Sequence, residues 1–192
     1  SSDLYQKHSR LHPHPIMLFY GKRGELGMER ITIREAELRD IDRILTIYNQ
    51  GIEDRVATLE TEPKGRTYMA EWLNAHQGRY TGIVAESEGE VIGWASLNPY
   101  SPRKAYAGVA DISVYIERNS RGKGIGRKLL SSLEVKAREN GFHKLVLFTF
   151  PFNELGHQLY RKCGYREVGT FKNQGILDGK YVDVMAMEKL LT

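Results

Sequence analysis

The sequence predicts an α/β fold, and three observations carry that expectation. Runs of alternating apolar and polar residues interrupt stretches whose apolar residues recur at i, i+3 and i+4. Turn residues stand between nearly all of these runs. The length of 192 residues, 41% of them hydrophobic, suits one compact domain with a core of ordinary size.

The pattern begins at Met28. "RITIR" alternates as a strand, and Ile41, Ile44, Leu45 and Tyr48 then recur at helical spacing up to Gly51, which reads as the helix stop. "IEDRVATLETEPKGR" has no period and contains Pro63 and Gly65, so it reads as a long loop, of the kind that is usually functional. A short helix is expected around Met69, Trp72 and Leu73. "TGIVAES" and "EVIGWASL", separated by Glu88 and Gly89, form a hairpin pattern. After the Pro-punctuated "NPYSPRKAYAG" comes "VADISVYI", which sets Ile112, Val114 and Ile116 on one face and Asp111, Ser113 and Tyr115 on the other.

Ile125, Leu129, Leu130, Leu133 and Ala137 define the next helix, with Gly141 placed to end it. "LVLFTF" is a near-continuous apolar run, the pattern of a strand covered on both faces. Pro151 stops it, and Asn153 is suited to cap a helix from Asn153 to Cys163. "REVGTFK" and "YVDVMAMEKL" close the chain as two strands around Asp178 and Gly179.

Residues 1–27 show no sustained periodicity and are expected to be an appended scar or a flexible leader, leaving 28–192 as the folded domain. The net charge of +4 shrinks once those residues are set aside, because the remainder holds 24 basic and 22 acidic residues. So small an excess argues against a dedicated nucleic-acid binder, which needs an extended cationic footprint. The apolar run Ile16 to Tyr20 is too short for a signal-peptide core, and no stretch approaches the roughly 20 apolar residues that cross a bilayer. A soluble cytoplasmic protein with no nucleic-acid or membrane partner is expected. The single cysteine, Cys163, excludes an internal disulfide and a cysteine-rich metal site, and His76 and His143 have no metal-ligand spacing. His157 is set aside as a residue that faces solvent or caps a polar neighbour.

The most informative stretch is "SVYIERNSRGKGIGRKLL", where glycines and cations join a strand to a helix. A helix start offers unpaired amides and the positive end of the dipole, and glycines let an anion approach that backbone closely. Arg121, Lys123 and Arg127 add charge around Gly122, Gly124, Ile125 and Gly126. A Walker loop would need Gly-Lys-Ser/Thr here, and a dinucleotide fingerprint would need a third glycine. Neither is present.

Arg121, Gly124 and Gly126 in "RGKGIG" resemble the R/Q-x-x-G-x-G/A motif of the GNAT acyltransferase superfamily. Asn153, Leu159, Tyr160, Gly164 and Tyr165 in "NELGHQLYRKCGY" are similar to its Asn-(x)5-Leu-Tyr-(x)3-Gly-Phe/Tyr helix. The resemblance runs over the chain from Met28 onward. It implies a mixed, mostly antiparallel twisted sheet of six to seven strands flanked by about four helices, and acetyl-CoA as co-substrate with no metal. "IYNQGI", "ATLETEP", "NPYSPRKAY" and "SVYIERNSRGKGIG" are similar to the phosphinothricin and methionine sulfoximine N-acetyltransferases. "IYNQGIEDRVATLET" and "LDGKYVDV" are most similar to the arsinothricin N-acetyltransferases. These relatives acetylate the α-amino group of glutamate analogues, a detoxification and resistance activity, and are commonly homodimers, so a homodimer is expected.

Amide formation from a thioester requires that the amine lose its proton, that the developing oxyanion find a donor and that the leaving thiolate be protonated. By resemblance, Tyr160 is the acid beside the sulfur, where the phosphinothricin enzymes commonly have a histidine. Asp111 is the base, directly or through water, where the relatives usually have the longer glutamate; pairing with an arginine or with the substrate ammonium is the alternative role. Val114, Tyr115 and Ile116 are expected as contacts to the pantetheine, with the oxyanion donor a backbone N–H near Val114. Arg121, Gly122, Lys123, Gly124, Ile125, Gly126, Arg127 and Asn153 complete the coenzyme site. Arg103 and Tyr106 align with an Arg and a Tyr of the relatives' substrate pocket, and an arginine fork suits carboxylate or phosphinate oxygens. Glu60 and Thr58 reach the same pocket or cap their own loop. Acetylation of a peptide N-terminus or polyamine, and acetyl-CoA binding without turnover, stay open beside the amino-acid reading.

Overall fold

The computed structural model describes residues 30–191, so the expected leader and the boundary at Met28 lie outside the described residues. The elements run β1 (Thr32–Glu35), α1 (Ile41–Glu53), α2 (Arg66–Ala75), β2 (Gly82–Ser87), β3 (Glu90–Pro99) and β4 (Val109–Ile116). They continue with α3 (Ile125–Glu139), β5 (Lys144–Thr149), α4 (Glu154–Lys162), β6 (Arg166–Leu177) and β7 (Lys180–Leu190). The strands make one sheet in the order β1-β2-β3-β4-β5-β7-β6. Every pair is antiparallel except β4 and β5, which α3 connects as a parallel crossover. This is the mixed, mostly antiparallel sheet with four α-helices that the resemblance implies.

Helices cover both faces of the sheet. The apolar stripe of α3, Ile125 to Ala137, is fully buried against Ile83, Leu97, Ala110, Leu145 and Met187. Each Leu removed from water there contributes about 1.5–3 kcal/mol. On the opposite face Ile41, Ile44, Ile47 and Ile52 of α1 and Met69 and Leu73 of α2 pack on Val84, Val91 and Trp94. Among the described residues no helix is long and apolar enough to cross a membrane.

Two local expectations change. Gly51 lies inside α1, which runs on to Glu53. A Cβ there would come within 2.8 Å of the Tyr115 ring, so this glycine serves close packing of α1 on β4, not termination. Phe148 of β5 is 46% exposed, whereas its apolar neighbours Leu145 and Leu147 are buried. It borders an open cleft beside β4, which explains an apolar run that is not covered on both faces.

Candidate active site

The cleft exists because β4 and β5 part company. Their pairing spans only Val109↔Lys144, Ala110↔Leu145 and Asp111↔Val146, although β4 continues to Ile116 and β5 to Thr149. Along its other edge β4 stays paired with β3 up to Ile116↔Gly93. The Glu117 N–H donates to the Ile92 carbonyl at 2.9 Å. Antiparallel pairs alternate between bonded and non-bonded, so the polar backbone groups of Val114 and Ile116 point away from β3 into the cleft. The Ile116 carbonyl accepts from Arg121 Nε at 3.3 Å on that side.

Two cavities meet in this cleft. One, of about 270 Å³, is lined by Val114, Tyr115, Ile116, Arg121, Gly122, Gly124, Ile125, Gly126, Arg127, Asn153 and Tyr160. All but one of the residues expected to hold the coenzyme are therefore brought together. Lys123 is exposed and does not line it. Gly122 and Gly124 take φ of +76° and +82°, which favours glycine. Gly124 caps α3, whose first intrahelical acceptor is the Gly124 carbonyl, bonded by Lys128 N–H. The amides of Ile125, Gly126 and Arg127 are thus free of intrahelical partners. Gly126 lets α4 pack tightly, since a Cβ there would meet Leu159 Cδ2 at 2.7 Å. Such a cradle of amides and arginines fits the diphosphate of a coenzyme A donor. Arg121 pairs meanwhile with Asp54 at 2.7 Å.

The second cavity, of about 240 Å³, is lined by Asp111, Ser113, Thr58, Phe148 and Thr149 among others. It shares Ala57, Val114, Tyr115, Asn153 and Tyr160 with the first. Asn153 holds its place by capping α4, its side-chain oxygen accepting from Gly156 N–H at 3.1 Å. Burial pushes the Asp111 carboxyl up to about 7, opposed only by a backbone hydrogen bond at Ile112, and no cation contributes. An arginine partner for Asp111 is therefore not what the structure provides. The Tyr160 phenol is pushed up to about 12, first by burial and then by the nearby charges of Asp111 and Cys163. It remains a proton donor at neutral pH, at the junction of the two cavities.

The other expected substrate residues scatter. Thr58 lines the second cavity, and its Oγ1 accepts from Glu60 N–H at 3.1 Å, so lining and loop capping coexist in it. Glu60 lines neither cavity and pairs with Lys64 at 2.6 Å. Arg103 and Tyr106 are exposed on the loop after β3 and line neither cavity, Tyr106 packing edge-on against Tyr100. His157 is buried, with Nε2 against the Phe150 carbonyl at 2.9 Å, and ties α4 to the end of β5. Among the described residues no group of His, Cys, Asp or Glu is arranged to hold a metal ion.

A third cavity, of about 200 Å³, adjoins the second through Ser113 and Tyr115. Its walls are aromatic: Trp94 stacks on Tyr115 at 4.8 Å, and Tyr48 meets both rings edge-on. Sequence reasoning left out Ser113, although its place two residues after Asp111 on the same face of β4 was a usable signal. It also left out Asn98, which β3–β4 pairing brings within 3.0 Å of Ser113 Oγ, and weighed His76 only as a metal ligand, although its Nε2 lies 2.8 Å from Asn98.

The acetyltransferase (GNAT) family model matches residues 42–165. An L-methionine sulfoximine/L-methionine sulfone acetyltransferase of Pseudomonas paraeruginosa is 30% identical, over 82% of this chain and 92% of the relative. Among solved structures, a phosphinothricin acetyltransferase from Sinorhizobium meliloti in complex with acetyl-CoA is 31% identical, with TM-score 0.79, covering 83% of this chain and 88% of that one. A ribosomal-protein-alanine N-acetyltransferase from Brucella melitensis is 34% identical, with TM-score 0.80, covering 83% and 99%. With the free amides of α3, the parted strands and the phenol of Tyr160 in one cleft, the chain belongs to the GNAT acetyltransferase family and is an enzyme that draws its acetyl group from acetyl-CoA.

Proposed function

We propose that the protein acetylates the α-amino group of a glutamate-analogue amino acid of the phosphinothricin, methionine sulfoximine or arsinothricin kind, as a cytoplasmic homodimeric resistance enzyme. The placement of Asp111 and Tyr160 carries the transfer step, and the acceptor class draws on the methionine sulfoximine and phosphinothricin relatives. A carboxyl raised to about 7 and a phenol raised to about 12 face one cavity, and that cavity joins the coenzyme cavity. Asp111 takes the proton from the incoming ammonium, directly or through water. Tyr160 donates to the departing thiolate. The amide of Val114, on the cleft side of β4, is the donor to the developing oxyanion.

Arg103 and Tyr106 serve in this reading by the loop after β3 folding over the acceptor, with the arginine fork on its anionic head. A second reading draws on the exposure of that same loop, which leaves the acceptor side open enough for a peptide N-terminus. Release of free thiol from acetyl-CoA separates the two. Phosphinothricin, methionine sulfoximine and arsinothricin are expected to give turnover, and ordinary amino acids and an alanine-led peptide far less. Preference for the peptide would replace the first reading with the second.

A further inference from the structure

Ser113 stands on the face of β4 that carries Asp111, about 7 Å further along the strand, and lines both the second and the third cavities. Behind it runs a chain of polar side chains in which His76 and Ser96 are buried and Asn98, which lines the third cavity, is half-buried. Asn98 on β3 lies 3.0 Å from Ser113 Oγ, 2.9 Å from Ser96 Oγ and 2.8 Å from His76 Nε2. His76 is 8% exposed and Ser96 is fully buried. The remaining ring nitrogen of His76, Nδ1, lies 2.7 Å from the Trp72 carbonyl.

Donor accounting orients this chain. A carbonyl only accepts, so Nδ1 of His76 carries a proton. In the neutral ring Nε2 is then a bare lone pair that needs a donor, and Asn98 must turn its amide nitrogen toward it. A half-turn of the amide leaves every heavy-atom distance in place. The Asn98 nitrogen then donates to His76 Nε2 and Ser96 Oγ, and its oxygen accepts the Ser113 hydroxyl proton. Both ring nitrogens of His76 and both ends of the Asn98 amide are then satisfied, as burial demands. The Ser113 oxygen is left with lone pairs directed away from Asn98.

We propose that Ser113 accepts a hydrogen bond from the acceptor's ammonium beside Asp111, and that Asn98 and His76 are positioning residues that fix its hydroxyl as an acceptor. The inference rests on the acetyl-transfer reading and specifies how the amine is held. Two oxygen acceptors on one strand face, one carboxylate and one hydroxyl, suit a primary ammonium, which offers three donors. A tertiary ammonium, with a single N–H, loses one of the contacts.

Steady-state kinetics with phosphinothricin, or with whichever amine the thiol-release comparison identifies, tests the relay. Ser113→Ala is expected to raise the acceptor's KM about tenfold or more, the scale of a lost hydrogen bond to a charged group. The KM for acetyl-CoA stays unchanged. Ser113→Thr keeps the hydroxyl and recovers most of the affinity. Asn98→Ala raises the same KM, and the double variant is no worse than Ser113→Ala alone, because both changes remove one contact. Should Asn98→Ala not fold, His76→Gln enters the relay from its far end and is cycled against Ser113→Ala in the same way. An unchanged acceptor KM in Ser113→Ala, or additive losses in the cycle, overturns the relay while leaving acetyl transfer standing. Turnover of a different class of amine overturns the substrate reading and leaves the relay tested on that amine. Failure of every amine with wild-type protein overturns both.

Discussion

Asp111 shows how one side chain takes its chemistry from its surroundings. A carboxyl of ordinary value near 3.9 would be a poor base for an ammonium, since it holds a proton too weakly. Burial at the end of the β4–β5 pairing raises it to about 7. Below that pH the group is protonated and cannot accept; above it the carboxylate is free. kcat/KM is therefore expected to climb with pH through about 7. Asp111→Asn should lower it by about 10²–10⁴-fold, the range of a lost general base, and abolish the climb. A pH-rate profile of the variant that keeps the same limb would move the base elsewhere. In the sequence, Asp111 could be named as the base only through the resemblance; its raised value depends on what covers it.

Among the elements, α1 and α3 each carry a glycine whose purpose is contact. An Ala inside an exposed helix gains about 1 kcal/mol over Gly. At Gly51 that gain is opposed by a Cβ placed 2.8 and 2.9 Å from the ring of Tyr115. Gly51→Ala is expected to destabilise the protein by about 1–3 kcal/mol, the scale of overpacking, as read by urea denaturation. A variant more stable than wild type would mean that the ring yields freely. Tyr115 is also shared by all three cavities, so the same change disturbs the site. The helical periodicity identified α1 correctly and misread Gly51, because a glycine at a helix end and a glycine under a ring look alike in one dimension.

Over the whole molecule, the sheet divides into a helix-covered half and an exposed margin. β6 is an edge strand of 12 residues that is exposed along nearly its whole length. Val168, Phe171 and Ile176, with Tyr181 of β7, leave apolar side chains half-exposed or more. Long apolar edges are a liability unless they are covered. Self-association through this hairpin fits the homodimer proposed above. Sedimentation is expected to give twice the mass of the chain, and Phe171→Lys to shift it toward the monomer. A wild-type monomer at working concentration would remove the dimer.

Periodicity and turn chemistry in the chain were enough for the α/β arrangement, the order of the elements and the glycine cradle, because each depends on neighbours within a few residues. Gly122, Gly124 and Asn153 could be placed for that reason. The parting of β4 from β5, the meeting of Asp111 with Tyr160 and the thread from His76 through Asn98 to Ser113 join residues from distant parts of the chain. Long-range packing sets those distances and the burial that shifts proton affinities, and no local pattern encodes it. Arg103 and Tyr106 mark the same boundary: their motif was legible, but an exposed loop follows no period that says where its side chains come to rest.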